Sequence, residues 1–127
     1  MASAVLDSSA ILAILNDEPG ADAVEVVLDD ALVSTVNYSE VIAKLVERGS
    51  AFAQVRYALR SMALTTVDFD IALAQRAGAL RTETRSRGLS LGDRACLALA
   101  EREGVAAMTG DRAWVGAVSG VEVRLIR

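Results

Sequence analysis

The sequence predicts a single α/β domain in which a largely parallel sheet is covered by helices on both faces. Short apolar runs recur five times and alternate with stretches of helical periodicity, the pattern of strands joined by helical crossovers. The chain has 127 residues, near the commonest size for one domain and long enough to bury a core without disulfides or structural metal. No internal repeat, low-complexity tract or linker interrupts it, so residues 1–127 are expected to fold as one unit.

The elements follow in order. Ala4-Val5-Leu6 is an apolar run ending in Asp7, and Ser8-Ser9 then lead into Ala10, Ile11, Ile14 and Leu15 at helical spacing: strand, sharp turn, helix. Residues 16–20 break the pattern with Pro19 and Gly20, and Ala21, Val24, Val27 and Leu28 restart it as a second helix. Residues 31–36 form a second strand. From Asn37, the spacing of Val41, Ile42, Leu45 and Val46 predicts a helix ending near Gly49. Phe52, Val55, Leu59 and Met62 predict another, with that stripe in the core. Residues 64–69 are a third strand, followed by a long helix through Ile71, Leu73, Ala77 and Leu80 to about Gly88. Ser90 opens a helix that carries Leu91, Ala95, Leu97 and Ala98 and ends before Gly104. Residues 105–109 are a fourth strand, 112–117 a short helix and 121–126 a fifth strand.

Composition removes much chemistry. Without a single His the chain holds no Ser/His/Asp triad, no Cys/His pair, no His-ligated zinc site and no His acid/base catalysis. Catalysis must come from carboxylates, metal ions, hydroxyls or Arg. The one cysteine, Cys96, sits on an Ala/Leu-rich helix and reads as core; with no partner for a disulfide, a cytoplasmic location is expected. The chain opens with no basic-then-apolar leader, and the apolar segment Ala10 to Leu15 is far too short to span a bilayer, so no membrane contact is expected.

The net charge of −4 argues at first against a nucleic-acid partner. Its distribution changes that. Residues 1–30 carry seven acids and no base, a charge of −7, which leaves the remainder at +3. Twelve of the thirteen bases are Arg, and Arg76, Arg81, Arg85, Arg87 and Arg94 fall in one stretch that could track a phosphate backbone or simply be solvated.

Four acids occupy comparable places. Asp7 follows the first strand, Glu40 lies beyond the second, Asp93 is in the first turn of the helix from Ser90, and Asp111 follows the fourth strand. In a parallel sheet the C-terminal strand ends share one edge, so Asp7, Glu40 and Asp111 are expected there, and Asp93 joins them if its helix starts nearby. Singly, each fits a capping role: Asp7 and Asp111 as N-caps, and Asn37-Tyr38-Ser39-Glu40 and Ser90-Leu91-Gly92-Asp93 as capping boxes. As a set they fit a cation site, because like charges gathered at one edge cost stability unless neutralised. Oxygen ligands alone select Mg²⁺ or Mn²⁺, which suit phosphodiester chemistry.

Val5-Leu6-Asp7-Ser8-Ser9-Ala10, Ser39-Glu40-Val41, the run Leu89 to Ala98 and the run Met108 to Trp114 resemble the PIN-domain family, and within it the VapC-like toxins of type II toxin–antitoxin modules, from about residue 3 to the C-terminus. The resemblance implies a Mg²⁺- or Mn²⁺-dependent endoribonuclease with a five-stranded parallel sheet in the order 3-2-1-4-5, a homodimer, and inhibition by a VapB-like antitoxin. Carried over by position, Asp7, Glu40, Asp93 and Asp111 are the catalytic residues. Asp7, Asp93 and Asp111 are then the metal ligands, with Asp111 completing the acidic quartet, while Glu40 positions or activates water. Ser9 could bond a carboxylate or phosphate or only satisfy the first helical turn; Thr109 reads as a strand-end hydroxyl, and Trp114 as packing rather than a base-stacking ring. Arg94 and Arg112 could pair with neighbouring carboxylates or touch RNA.

Two rival classes lack their residues. A phosphoacceptor domain needs a Lys late in the sheet, and Lys44 is on an early helix; a haloacid-dehalogenase-like phosphatase needs an Asp where Ser9 stands. The remaining alternative is a non-catalytic RNA- or partner-binding α/β domain of the same fold.

Overall fold

Five short strands form one all-parallel sheet in the order β3-β2-β1-β4-β5, in a computed structural model that describes residues 2–127. β1 (Ala4–Leu6) is central and wholly buried, flanked by β2 (Leu32–Ser34) and β4 (Ala106–Thr109). β3 (Thr65–Val67) and β5 (Val123–Leu125) are the edges. The strand pleat divides the core in two, because successive side chains point to opposite faces. Leu6 and Met108 pack on one side with Ile11, Val24, Val41 and Leu59, while Val5 and Ala107 pack on the other with Leu80, Leu97, Leu99 and Trp114.

Seven helices cover the sheet. The first four, α1 (Ser8–Leu15), α2 (Ala21–Glu25), α3 (Thr35–Glu47) and α4 (Phe52–Ser61), precede β3. α5 (Ile71–Ala79), α6 (Arg81–Thr84) and α7 (Leu91–Glu103) follow it. α7 is buried without interruption from Ala95 to Ala100, and a helix apolar all round must lie between layers. Its start is fixed by a capping box on Ser90 and its end by Gly104, whose φ of +68° closes the last turn without Cβ strain.

The sheet order and parallel sense agree with expectation; several boundaries do not. α3 begins at Thr35 rather than Asn37, because β2 pairs with β3 through Ser34 opposite Val67 and the Ser34 hydroxyl then caps the helix by accepting the Val36 amide at 3.2 Å. The Asn37–Glu40 capping box therefore does not form. The long helix expected over 71–88 is broken after Ala79 and again at Thr84, where the fully buried threonine hydroxyl donates back to the Leu80 carbonyl at 2.8 Å, a bond that bends helices. The second predicted helix stops at Glu25 and gives way to a 3-10 turn at Leu28–Asp30, and the short helix after β4 is a single 3-10 turn, Arg112–Trp114. Phe52 is 56% exposed and leaves the core stripe to Val55 and Leu59.

Candidate active site

Asp7 is the most constrained acid in the molecule. It follows β1, caps α1, and is only 5% exposed. Its Oδ1 accepts the Ala10 amide at 2.9 Å and the Ser9 hydroxyl at 2.7 Å, and its Oδ2 accepts the Thr109 hydroxyl at 2.6 Å. Both hydroxyls also accept backbone amides from the loop after β4, Ser9 from Gly110 at 2.9 Å and Thr109 from Asp111 at 3.0 Å. Ser9 thus takes the carboxylate-bonding role open to it, and it and Thr109, the latter expected only as a strand-end hydroxyl, act as two rivets between the β1–α1 turn and the end of β4. Burial pushes the Asp7 carboxyl above the usual carboxylate range; the three hydrogen bonds oppose that rise and the nearby Asp93 charge adds to it.

Glu40 lies one turn into α3 and reaches the start of α7. Its Oε1 accepts the side-chain amide of Asn37 at 2.9 Å, and the same amide donates to the Gly92 carbonyl at 3.0 Å. The carboxylate sits so close over Gly92 that a Cβ there would fall inside it. Next along α7, the half-buried Asp93 accepts the Ser90 amide through Oδ2 at 2.9 Å, while Ser90 Oγ accepts the Asp93 amide at 3.2 Å. Between α3 and the beginning of α7 opens a groove of about 580 Å³ in which Glu40 is the sole charged wall residue.

Three of the four predicted acids lie within electrostatic reach of one buried thiol. Asp7, Asp93 and Glu40 all act on the Cys96 thiol beneath them, which burial above all, helped by these three charges, pushes well above its ordinary value. That agrees with Cys96 as core. Asp111 is exposed, its Oδ1 accepts the Ala113 amide at 2.9 Å, and its own amide donates to the Thr109 hydroxyl that holds Asp7. Among the described residues no three acidic or thiol side chains are close enough together to hold one metal ion in these positions.

The donor chemistry of these acids is that of a hard divalent cation. The donors are all oxygens, and none of the four carboxylates is in an ion pair among the described residues. Arg94, beside Asp93, donates through one guanidinium nitrogen to the Ala77 carbonyl at 2.9 Å and is in no ion pair with the acids among the described residues. Arg76 forks onto Glu101, and Arg87 bonds the Ala113 and Val115 carbonyls. Of the five clustered arginines, Arg81 and Arg85 are left at the surface with no partner among the described residues. The Arg127 guanidinium lies over Gly110 and is tied to the Pro19 carbonyl at 3.0 Å, placing a cation beside the Asp111 loop. Trp114 is fully buried, in keeping with packing.

Sequence reasoning missed Asn37 and Gly92. The signal was present, an amide three residues before Glu40 and a glycine one before Asp93, but the amide was assigned to a helix cap.

The chain matches the family model described as "PIN domain" over residues 4–117. No curated protein matches it significantly. Several solved structures share the fold. A toxin–antitoxin complex from Klebsiella pneumoniae aligns at 20% identity and TM-score 0.78, covering 98% of both chains. DNA-bound VapBC from Salmonella typhimurium aligns at 19% and 0.77 over 100% of both. The sarcin-ricin loop cleaving toxin VapC20 from Mycobacterium tuberculosis aligns at 16% and 0.66, over 83% of this chain and 87% of that one. At these identities the likeness is one of fold.

Proposed function

Since the chain belongs to the PIN domain family, we propose that it is a Mg²⁺- or Mn²⁺-dependent endoribonuclease and the toxin of a VapBC-type module. The observation that carries this reading is the unpaired acidic edge: a buried Asp7 held by three donors with its pKa raised, Asp93 close by, Glu40 facing an open groove, and no ion pair to any of them among the described residues. Such a site is stable and useful when a cation and a phosphate fill it.

Asp7 and Asp93 would hold the ion, with Asp111 reaching in from its surface turn. A divalent cation there would polarise the phosphate and acidify water. The chain's own groups supply the rest. Ser9, Thr109 and the Ala10 amide fix both Asp7 oxygens, so the carboxylate costs no reorganisation when the ligand arrives. Glu40 offers a carboxylate on the groove wall to orient water and take its proton. The amide ends of α1 and α7 favour phosphate oxygens, and Arg81, Arg85 and Arg127 would lend the edge a cationic rim. RNA as substrate is supported by the fold shared with a sarcin-ricin loop cleaving toxin, and a VapB-like antitoxin by the folds shared with VapBC complexes. A homodimer and a cytoplasmic location belong to the same reading; no helix among the described residues is long and apolar enough to cross a membrane.

The test is cleavage of total RNA by purified, antitoxin-free protein with Mg²⁺ or Mn²⁺, against Asp7→Asn and Asp93→Asn. Wild type should cut, both variants should be silent with unchanged circular dichroism, and millimolar Mn²⁺ should raise Tm of the wild type alone. Cleavage by either variant at the wild-type rate overturns the assignment. RNA binding without cleavage in all three would favour the non-catalytic RNA-binding domain.

A further inference from the structure

Asn37 makes a buried bridge that no stability argument requires. Its side chain is 1% exposed, and both amide protons are spent, one on Glu40 Oε1 at 2.9 Å and one on the Gly92 carbonyl at 3.0 Å. The opposite orientation of the amide would set Oδ1 against a carboxylate and a carbonyl, two acceptors, so the orientation is settled by the network. The remaining Oδ1 is buried with no partner. An amide that leaves its own acceptor unsatisfied is a poor way to join two helices, since an apolar pair would do so without that cost. What the bridge does achieve is to pin a flexible acid. Glu40 has three side-chain torsions before its carboxylate and is anchored at one oxygen by Asn37, while the missing side chain of Gly92 leaves the pocket into which that carboxylate drops.

We propose that Asn37 is a positioning residue, and that with Gly92 it holds Glu40 against the first turn of α7 so that Oε1 is occupied and Oε2 is the oxygen that works. The proposal rests on the nuclease reading above and on Glu40's part in it. Ionic partners are absent from this arrangement: Glu40 pairs with no base among the described residues, so Asn37 is its only side-chain anchor there. Glu40 is also in the groove wall rather than the core, so Asn37 does for it what three donors do for the buried Asp7.

A double-mutant cycle separates positioning from mere folding. Asn37→Ala should lower kcat about 10- to 100-fold with KM little changed, the scale usual when the support of a site residue is removed. In a Glu40→Ala background the same change should alter kcat by less than about twofold, because there is nothing left to position. Gly92→Ala is an independent arm: alanine favours the helix, so the protein should fold with Tm held or raised, yet the added Cβ must displace the Glu40 carboxylate and lower kcat as Asn37→Ala does. A third measurement needs no activity. In side-chain amide NMR spectra, Glu40→Gln should shift the Asn37 resonances and leave those of exposed Asn16, the only other asparagine, in place. The proposal is overturned if Asn37→Ala costs the same factor with and without Glu40, if Gly92→Ala is fully active, or if the Asn37 resonances ignore Glu40→Gln. If instead Glu40→Ala cleaves like wild type, or wild type does not cleave, the part given to Glu40 or the nuclease reading is what fails, and the spectra still decide whether Asn37 holds Glu40.

Discussion

Thr109 donates its hydroxyl to Asp7 Oδ2 at 2.6 Å across 102 residues of sequence, with both groups buried. The Thr109 hydroxyl oxygen in turn accepts the Asp111 amide, so one threonine sets the direction of a carboxylate and the start of the loop after β4. Thr109→Val keeps the shape and removes both bonds. We expect RNA cleavage to fall about 10- to 100-fold and stability by about 1–3 kcal/mol, with Thr109→Ser restoring most of each; equal activity in the valine variant would show that Asp7 does not depend on this anchor.

Asp7→Asn should be more stable than wild type at neutral pH. Burial raises the folded-state pKa of Asp7 above its unfolded value, so its favourable contribution is complete only below the unfolded pKa and is lost as pH rises through the folded one. At pH 7 the charge is a burden that asparagine removes, and the amide can still accept from Ala10 while donating to Thr109. Thermal melts from pH 3 to 8 should show a Tm advantage at pH 7 that shrinks on acidification; a variant melting below wild type at pH 7 would refute this.

The Arg76–Glu101 pair carries the opposite sign. Arg76 forks onto both Glu101 oxygens, and that guanidinium holds the Glu101 carboxyl below its usual value. Stability from the pair is present above the unfolded value near 4.5 and is lost as pH falls through the folded one. With side chains 41% and 31% exposed, solvent screening limits it to about 0.5–1 kcal/mol. Glu101→Gln should lower Tm by about 2 °C at pH 7, a deficit that disappears in acid and shrinks in high salt.

Cys96 should be inert to thiol reagents in the native state. It is fully buried on α7, with its thiol pushed well up by burial. Labelling with a chromogenic disulfide should proceed at the unfolding rate and accelerate in denaturant; prompt labelling of folded protein would place the thiol at the surface.

The parallel sheet and its acidic edge were legible because both are written locally. Asp7 follows β1 directly and Asp111 follows β4 after one glycine, and the Ser90–Asp93 capping box forms as its spacing implies. What sequence did not reveal depends on partners far along the chain. Ser34, Asn37 and Ser39 could each cap a helix, and the choice fell to Ser34 because β3 pairs with β2 up to that residue. Once α3 starts there, Asn37 turns inward to meet Gly92, 55 positions away. Arg94 looked available to a ligand because the Ala77 carbonyl that takes it belongs to a different helix. Asp111's capping role, by contrast, is local: it opens the 3-10 turn after β4 and its carboxylate accepts the Ala113 amide.

The sheet order also sets a timetable for synthesis. β1 is made first and sits in the middle, paired with β2 at a single position and with β4 at three. Until residues 106–109 leave the ribosome, β1 has a neighbour on one side only, and Asp7 lacks both the Thr109 hydroxyl and the Gly110 clasp through Ser9. A growing chain therefore displays its first acids long before the edge that organises them exists. The edge is assembled only when β4 takes its place beside β1.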